Sequence, residues 1–199
     1  MNLNVAMKRT GLCMSFVLIT MLLGGVCSAA PITYNVDQTI GAGSVMGTIQ
    51  TNGATGVLDS ADIIGWNLEL NGLGASYNLT TSNSVVLVET NTGVTATDVT
   101  ATATYLFFNF NGTDNGFLAF TPDPGGGAHY YCDAVTTQSF DCYPGATVAP
   151  INVFDPSTQN VLLTGNQIIG TAASVPEPAT LALLATAIAG LALFRRRRA

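Results

Sequence analysis

Residues 63–70 read Ile63-Ile64-Gly65-Trp66-Asn67-Leu68-Glu69-Leu70. Trp66, Leu68 and Leu70 alternate with Asn67 and Glu69, the two-residue period that puts one set in a core and the other in water. Trp66 therefore belongs to the core and Glu69 to the opposite, wet face. Asn52-Gly53 precedes this run and Asn71-Gly72 follows it, while Asn111-Gly112 and Asn115-Gly116 recur further on. Asn and Gly tolerate positive φ, so these dipeptides mark hairpins or loops. Strands are expected at Ser44–Thr51, Ile63–Leu70, Ser84–Thr90, Thr97–Phe110 and Gly116–Thr121. Weaker runs at Val148–Phe154, Val161–Thr164 and Gln167–Thr171 extend the series. Tyr105–Phe110 is apolar on both faces apart from Asn109, as suits a central strand. Short strands with frequent turns specify an all-β fold, an antiparallel β-sandwich of jelly-roll-like or other topology.

Charge is distributed as unusually as hydropathy. The 199 residues include 6 Lys or Arg and 12 Asp or Glu. Lys8, Arg9 and Arg195 to Arg198 are the only basic residues, so residues 30–175 carry eleven carboxylates and no Lys or Arg. With His129 neutral, that segment has a formal charge of −11. Nucleic acid is excluded as a partner, because phosphates are neutralised by Lys or Arg.

The two ends read as addresses. Residues 1–29 form a signal peptide, with Lys8 and Arg9 as a positive n-region and Leu12 to Leu23 as the apolar stretch. Cleavage after Ala29 fits the small residues Ser28-Ala29-Ala30; Cys27 as a lipidation site has a poorer context in Gly24-Gly25-Val26. At the other end Val175-Pro176-Glu177-Pro178 leads into an uncharged apolar run, residues 179–194. Arg195-Arg196-Arg197-Arg198 closes it. Sixteen helical residues rise about 24 Å, and snorkelling Arg stems extend that toward a bilayer's hydrocarbon thickness. The Arg cluster is expected to stay cytoplasmic, leaving residues 30–174 on the far side of the membrane.

In its Pro176-Glu177-Pro178 triplet, apolar span and terminal Arg cluster, the tail resembles the PEP-CTERM sorting signal recognised by exosortase. The resemblance covers residues 175–199. It implies that secretion machinery and exosortase are the partners, and that the chain meets the membrane transiently through its C-terminal helix. It further implies an inner-membrane intermediate, then release to the cell surface or beyond in a Gram-negative bacterium that makes exopolysaccharide. Part of the body also looks like a segment of other uncharacterised PEP-CTERM proteins. The residues concerned are Gly47-Thr48-Ile49, Thr51-Asn52-Gly53, Gly56-Val57-Leu58, Asp62-Ile63, Trp66 to Leu70, Leu106 to Phe110 and Gly116 to Phe120; this implies kinship and supplies no site.

Residues that could carry chemistry are few. Pro122-Asp123-Pro124-Gly125-Gly126-Gly127 cannot continue a central strand and opens a loop toward His129-Tyr130-Tyr131-Cys132. Cys132 and Cys142 are close in sequence and, in an exported chain, are expected to pair as a disulfide. Closing a loop of about 11 residues contributes roughly 3 kcal/mol on the chain-entropy account. His129 is the only histidine. A triad would have to recruit it with Asp123, Asp133 or Ser139, yet no serine elbow accompanies them. Glu69 and Glu89 are the only glutamates before the tail, and Asp59 and Asp62 read as turn residues. Asn109, Asn111, Asp114 and Asn115 offer oxygens to a calcium ion from a Gly-containing loop, though without EF-hand spacing. The expectation is an exported surface or matrix protein without catalysis or cofactor. A carbohydrate- or calcium-binding module of extracellular polysaccharide is the alternative, and a glycoside hydrolase or lyase comes third.

Overall fold

A computed structural model describes residues 29–72, 75–122, 129–136, 145–148 and 159–174. The expected signal peptide (apart from its last residue, Ala29), membrane-spanning tail, Arg cluster and Pro-Glu-Pro triplet lie outside the described residues. So do Asp123, Ser139, Cys142 and residues 149–158, where a strand was expected to continue. Among the described residues no helix is long and apolar enough to cross a membrane.

Two antiparallel sheets share one core. The strands are β1 (Ile32–Ile40), β2 (Gly43–Thr51), β3 (Gly56–Val57), β4 (Ile63–Gly72), β5 (Ala75–Thr80), β6 (Ser84–Thr90) and β7 (Val99–Ala101). They continue as β8 (Tyr105–Asn109), β9 (Gly116–Pro122), β10 (Tyr131–Ala134), β11 (Gly145–Val148), β12 (Gln159–Val161) and β13 (Asn166–Ala172). The larger sheet runs β3-β7-β8-β13-β1-β2-β4-β5 and the smaller β12-β11-β10-β9-β6. Half of the consecutive strands are paired neighbours: β1–β2, β4–β5, β7–β8, β9–β10, β10–β11 and β11–β12. The chain changes sheet between β5 and β6, β6 and β7, β8 and β9, and β12 and β13.

The alternation at residues 66–70 holds: Leu68 and Leu70 are buried and Trp66 packs against the core, while Asn67 and Glu69 are exposed. Trp66 reaches across the sandwich. Its ring lies 5.6 Å from that of Phe120 on β9, and its Nε1 donates to Ser84 Oγ on β6 at 2.8 Å. Phe120 in turn stacks on Tyr131, 6.0 Å away. Burying such aromatic area with the indole N–H satisfied ties the sheets together without leaving an orphan donor.

Three expectations are corrected in detail. The run Thr97–Phe110 is two strands, because Thr102 Oγ accepts from the Thr104 and Tyr105 N–H groups and turns the chain between β7 and β8. Such side-chain-to-backbone bonds compete with strand continuation. Within β8 only one face is buried: Leu106 and Phe108 point inward, whereas Tyr105 is 37% exposed. The strand β1 was not anticipated. It pairs with β2 along its whole length through a two-residue turn at Gly41-Ala42, where Gly41 has φ 60° and glycine costs nothing.

Two of the edge strands, β6 and β5, are covered by nearby side chains and a backbone carbonyl rather than guarded by lysines. The Val88 N–H on β6 donates to Ser60 Oγ at 2.8 Å, and the Thr90 N–H donates to the Val94 carbonyl at 2.7 Å. Ser60 is held in a 3-10 turn, Ser60–Asp62, by a reciprocal capping box. Asp59 accepts from the Ala61 and Asp62 N–H groups, and Asp62 accepts from the Asp59 N–H. On β5, Asn83 acts as a one-residue strand. Its Nδ2 donates to the Asn78 carbonyl at 2.9 Å and its Oδ1 accepts from the Thr80 N–H at 2.8 Å. Asn83→Ala should remove both bonds, cost about 1 kcal/mol, and open the edge to a second chain. Denaturant unfolding and light scattering over a concentration series should show lower stability and new oligomers.

Candidate functional site

Two buried carboxyl groups stand out because no basic side chain exists in the body to neutralise them. Asp98 precedes β7 and Asp114 lies in the β8–β9 loop. The β7–β8 register, Val99 opposite Phe108, places the Asp98 carbonyl to accept from the Asn109 N–H at 2.9 Å. Asp98 is 2% exposed and bonds Asp114 through its side chain. The Gly116 N–H donates to Asp98 Oδ2 at 3.1 Å and to Asp114 Oδ1 at 3.2 Å. Thr97 donates its N–H and hydroxyl to Asp114 Oδ2, each at 2.7 Å. A Cβ on Gly112 would overlap the Asp98 carboxylate, so that glycine makes room for the acid.

Burial first, then the adjacent Asp114 bond and charge, push Asp98 up to about 7 against the opposing Gly116 N–H. The hydrogen bond from Asp98 leads the causes that hold Asp114 below the usual carboxylate range. The pair thus shares one proton, held on Asp98.

Asp133 is the second group. It is fully buried on the inward face of β10, in a cross-strand row with Val88, Leu118 and Ala146. One oxygen accepts from the Tyr131 hydroxyl at 2.6 Å, and the other has no hydrogen-bond partner among the described residues. Burial raises Asp133 to about 7, opposed by the Tyr131 hydroxyl. Burial, then the Asp133 charge, raises Tyr131 well above an ordinary phenol. Gln38, inward on β1, brings its Oε1 to 3.5 Å from the same hydroxyl and donates Nε2 to the Ile169 carbonyl at 3.2 Å. A polar trio therefore bridges the sheets.

The residues singled out from sequence are mostly occupied with structure. In the loop considered for calcium, Asn109 Oδ1 accepts from the Asn111 N–H at 3.2 Å and Asn115 adopts a left-handed φ of 56°. The Asn109 oxygen thus serves turn geometry, and both Asp114 oxygens accept the bonds from Thr97 and Gly116. Among the described residues no three His, Cys, Asp or Glu side chains converge on a metal position. His129 packs its ring on Tyr77, centroids 4.4 Å apart, while Asp133 faces the inter-sheet core. Cys132 is buried on the other face of β10 with Phe117, Ala119, Tyr130 and Ala134. Asp98 escaped notice in the sequence because sixteen positions separate it from Asp114; the β7–β8 hairpin register is the signal that joins them.

Fold and site together define an acidic, all-β domain whose buried carboxyls rely on protons and N–H groups. Residues 174–198, immediately after β13, match the family described as the PEP-CTERM protein-sorting motif. That motif implies export, processing by exosortase and sorting to the cell surface. No curated protein and no solved structure matches the chain.

For Asp98 and Asp133 the folded state binds protons more tightly than the unfolded chain. Their contribution is full below about pH 4 and is lost as pH rises through about 7. Asp114 acts oppositely, its contribution disappearing only as pH falls below the usual carboxylate range. Thermal unfolding should therefore give a higher midpoint at pH 5 than at pH 8. Asp98→Asn keeps a donor toward Asp114 and should flatten that slope by about 1 to 2 kcal/mol. Gly112→Ala should destabilise at every pH by displacing the acid.

Proposed function

We propose that this chain is a non-catalytic surface or matrix protein, presented outside the cell after its tail is processed by exosortase. The observation that carries the reading is the sorting motif at residues 174–198, joined directly to the last strand of a folded domain. The export signal at residues 1–29, the membrane-spanning run 179–194 and the cytoplasmic Arg195–Arg198 cluster belong to the same reading. A Cys132–Cys142 disulfide fits an oxidising destination, and the burial of Cys132 on β10 is compatible with it. The function is then delivery and display, with a sandwich stabilised by proton-sharing carboxyls and sealed edges.

Intact-mass measurement of protein recovered from the surface of the native host should find residues 1–29 and the Arg cluster missing. Surface protein that retains Arg195–Arg198 contradicts the sorting reading. Replacing Pro176, Glu177 and Pro178 together by Ala should leave the tail attached and the protein in the membrane fraction. A hydrolytic activity abolished by His129→Ala would contradict the non-catalytic part.

A further inference from the structure

The outer face of the larger sheet carries a hollow built from hydroxyls and amides. Register aligns Thr39 on β1, Ser44 on β2, Asn71 on β4 and Ser76 on β5 in one cross-strand row. These four residues, with small neighbours such as Ala42 and Gly72, line an open concavity of about 630 Å³. That volume falls within the usual range for ligand sites. Ala42, Gly43, Gly72 and Ala75 beside the row have small side chains or none, so they add little bulk to the hollow.

The next row along the strands is Asp37, Met46 and Glu69. All three are exposed, Met46 by 46%. Asp37 and Glu69 stand two strand spacings apart, about 10 Å between backbones. That separation suits two independent hydrogen-bond acceptors with an apolar thioether between them, and it is too wide for one calcium ion to bind both directly.

We propose that this hollow and the carboxylate row beside it bind an uncharged, hydroxyl-rich saccharide. Three properties select that ligand. No basic residue exists anywhere in the body, so an anionic glycan or phosphate meets only repulsion. Hydroxyl, amide and carboxylate groups present both donors and acceptors, which sugar hydroxyls match and an apolar ligand leaves unsatisfied. The groups recur across the strands at about 4.8 Å, close to the advance per ring of an extended glycan. Asn35, Thr48 and Asn67 continue the same uncharged pattern one row beyond the carboxylates, offering a path for a longer chain.

The inference is independent of the sorting reading and is tested on purified full-length protein. Calorimetric titration with neutral cello-, malto-, manno- and xylo-oligosaccharides should find at least one binding series. Asn71→Ala should weaken it about tenfold, as expected for loss of a bidentate amide. Ser76→Trp, filling the hollow, should abolish it, while Thr100→Ala at the far side of the same sheet should leave it unchanged. Near-ultraviolet circular dichroism identifies any variant that fails to fold, and Asn71→Ala then decides. Absence of binding to every neutral series overturns the proposal. Equal binding by wild type, Asn71→Ala and folded Ser76→Trp also overturns it. So does occupation of this face by calcium alone or by a second copy of the chain.

Discussion

Everything in this domain is built around a shortage of positive charge. Between Arg9 and Arg195 no Lys or Arg is available, so a carboxylate cannot be neutralised by an ion pair. The chain solves the problem with protons, N–H groups and hydroxyls. Asp59 and Asp62 cap each other's backbone across one turn. Asp98 and Asp114 share a proton above the Gly116 N–H. Asp133, buried among aliphatic neighbours, takes one hydrogen bond from Tyr131. The last two arrangements lower local charge without a cation, and they make stability respond to acidity.

The same economy governs the edges. Many sandwiches ward off edge-to-edge association with lysines or prolines. Here Ser60 and Asn83 occupy edge N–H and carbonyl groups directly, as short imitations of a neighbouring strand. The large negative charge adds long-range repulsion between copies. The outer face of the larger sheet is dressed in Thr, Asn, Ser and Gln, with the single row Asp37, Met46 and Glu69 among them.

How far the sequence revealed this depends on the range of the interaction. β2, β4, β6 and β9 were legible because alternation and turn dipeptides are local signals. The split between β7 and β8 was not, since it turns on one hydroxyl, that of Thr102, accepting backbone bonds. β1 was missed because its alternation is interrupted by Gln38, a polar residue at an inward position, and its pairing is announced only by Gly41-Ala42. The calcium loop was read from composition; its Asn109 and Asp114 oxygens accept bonds from Asn111, Thr97 and Gly116. Asp98 with Asp114, and the row Thr39, Ser44, Asn71 and Ser76, became visible only through strand register. Register is a property of pairs of segments, which no single stretch of sequence encodes.

One topological detail bears on how the chain matures. β13 lies between β8 and β1, and the Ala173 N–H donates to the Thr33 carbonyl at 2.8 Å. Without β13 the larger sheet is two fragments, β3-β7-β8 and β1-β2-β4-β5. A chain made from its N-terminus must therefore keep β1 waiting through most of synthesis, and a contact of such long separation closes slowly. The strand that ends the wait is followed at once by the sorting motif at residue 174. Completion of the sheet and arrival of the address are thus consecutive events, and the tail reports, by its position alone, that the last piece of the domain has been made.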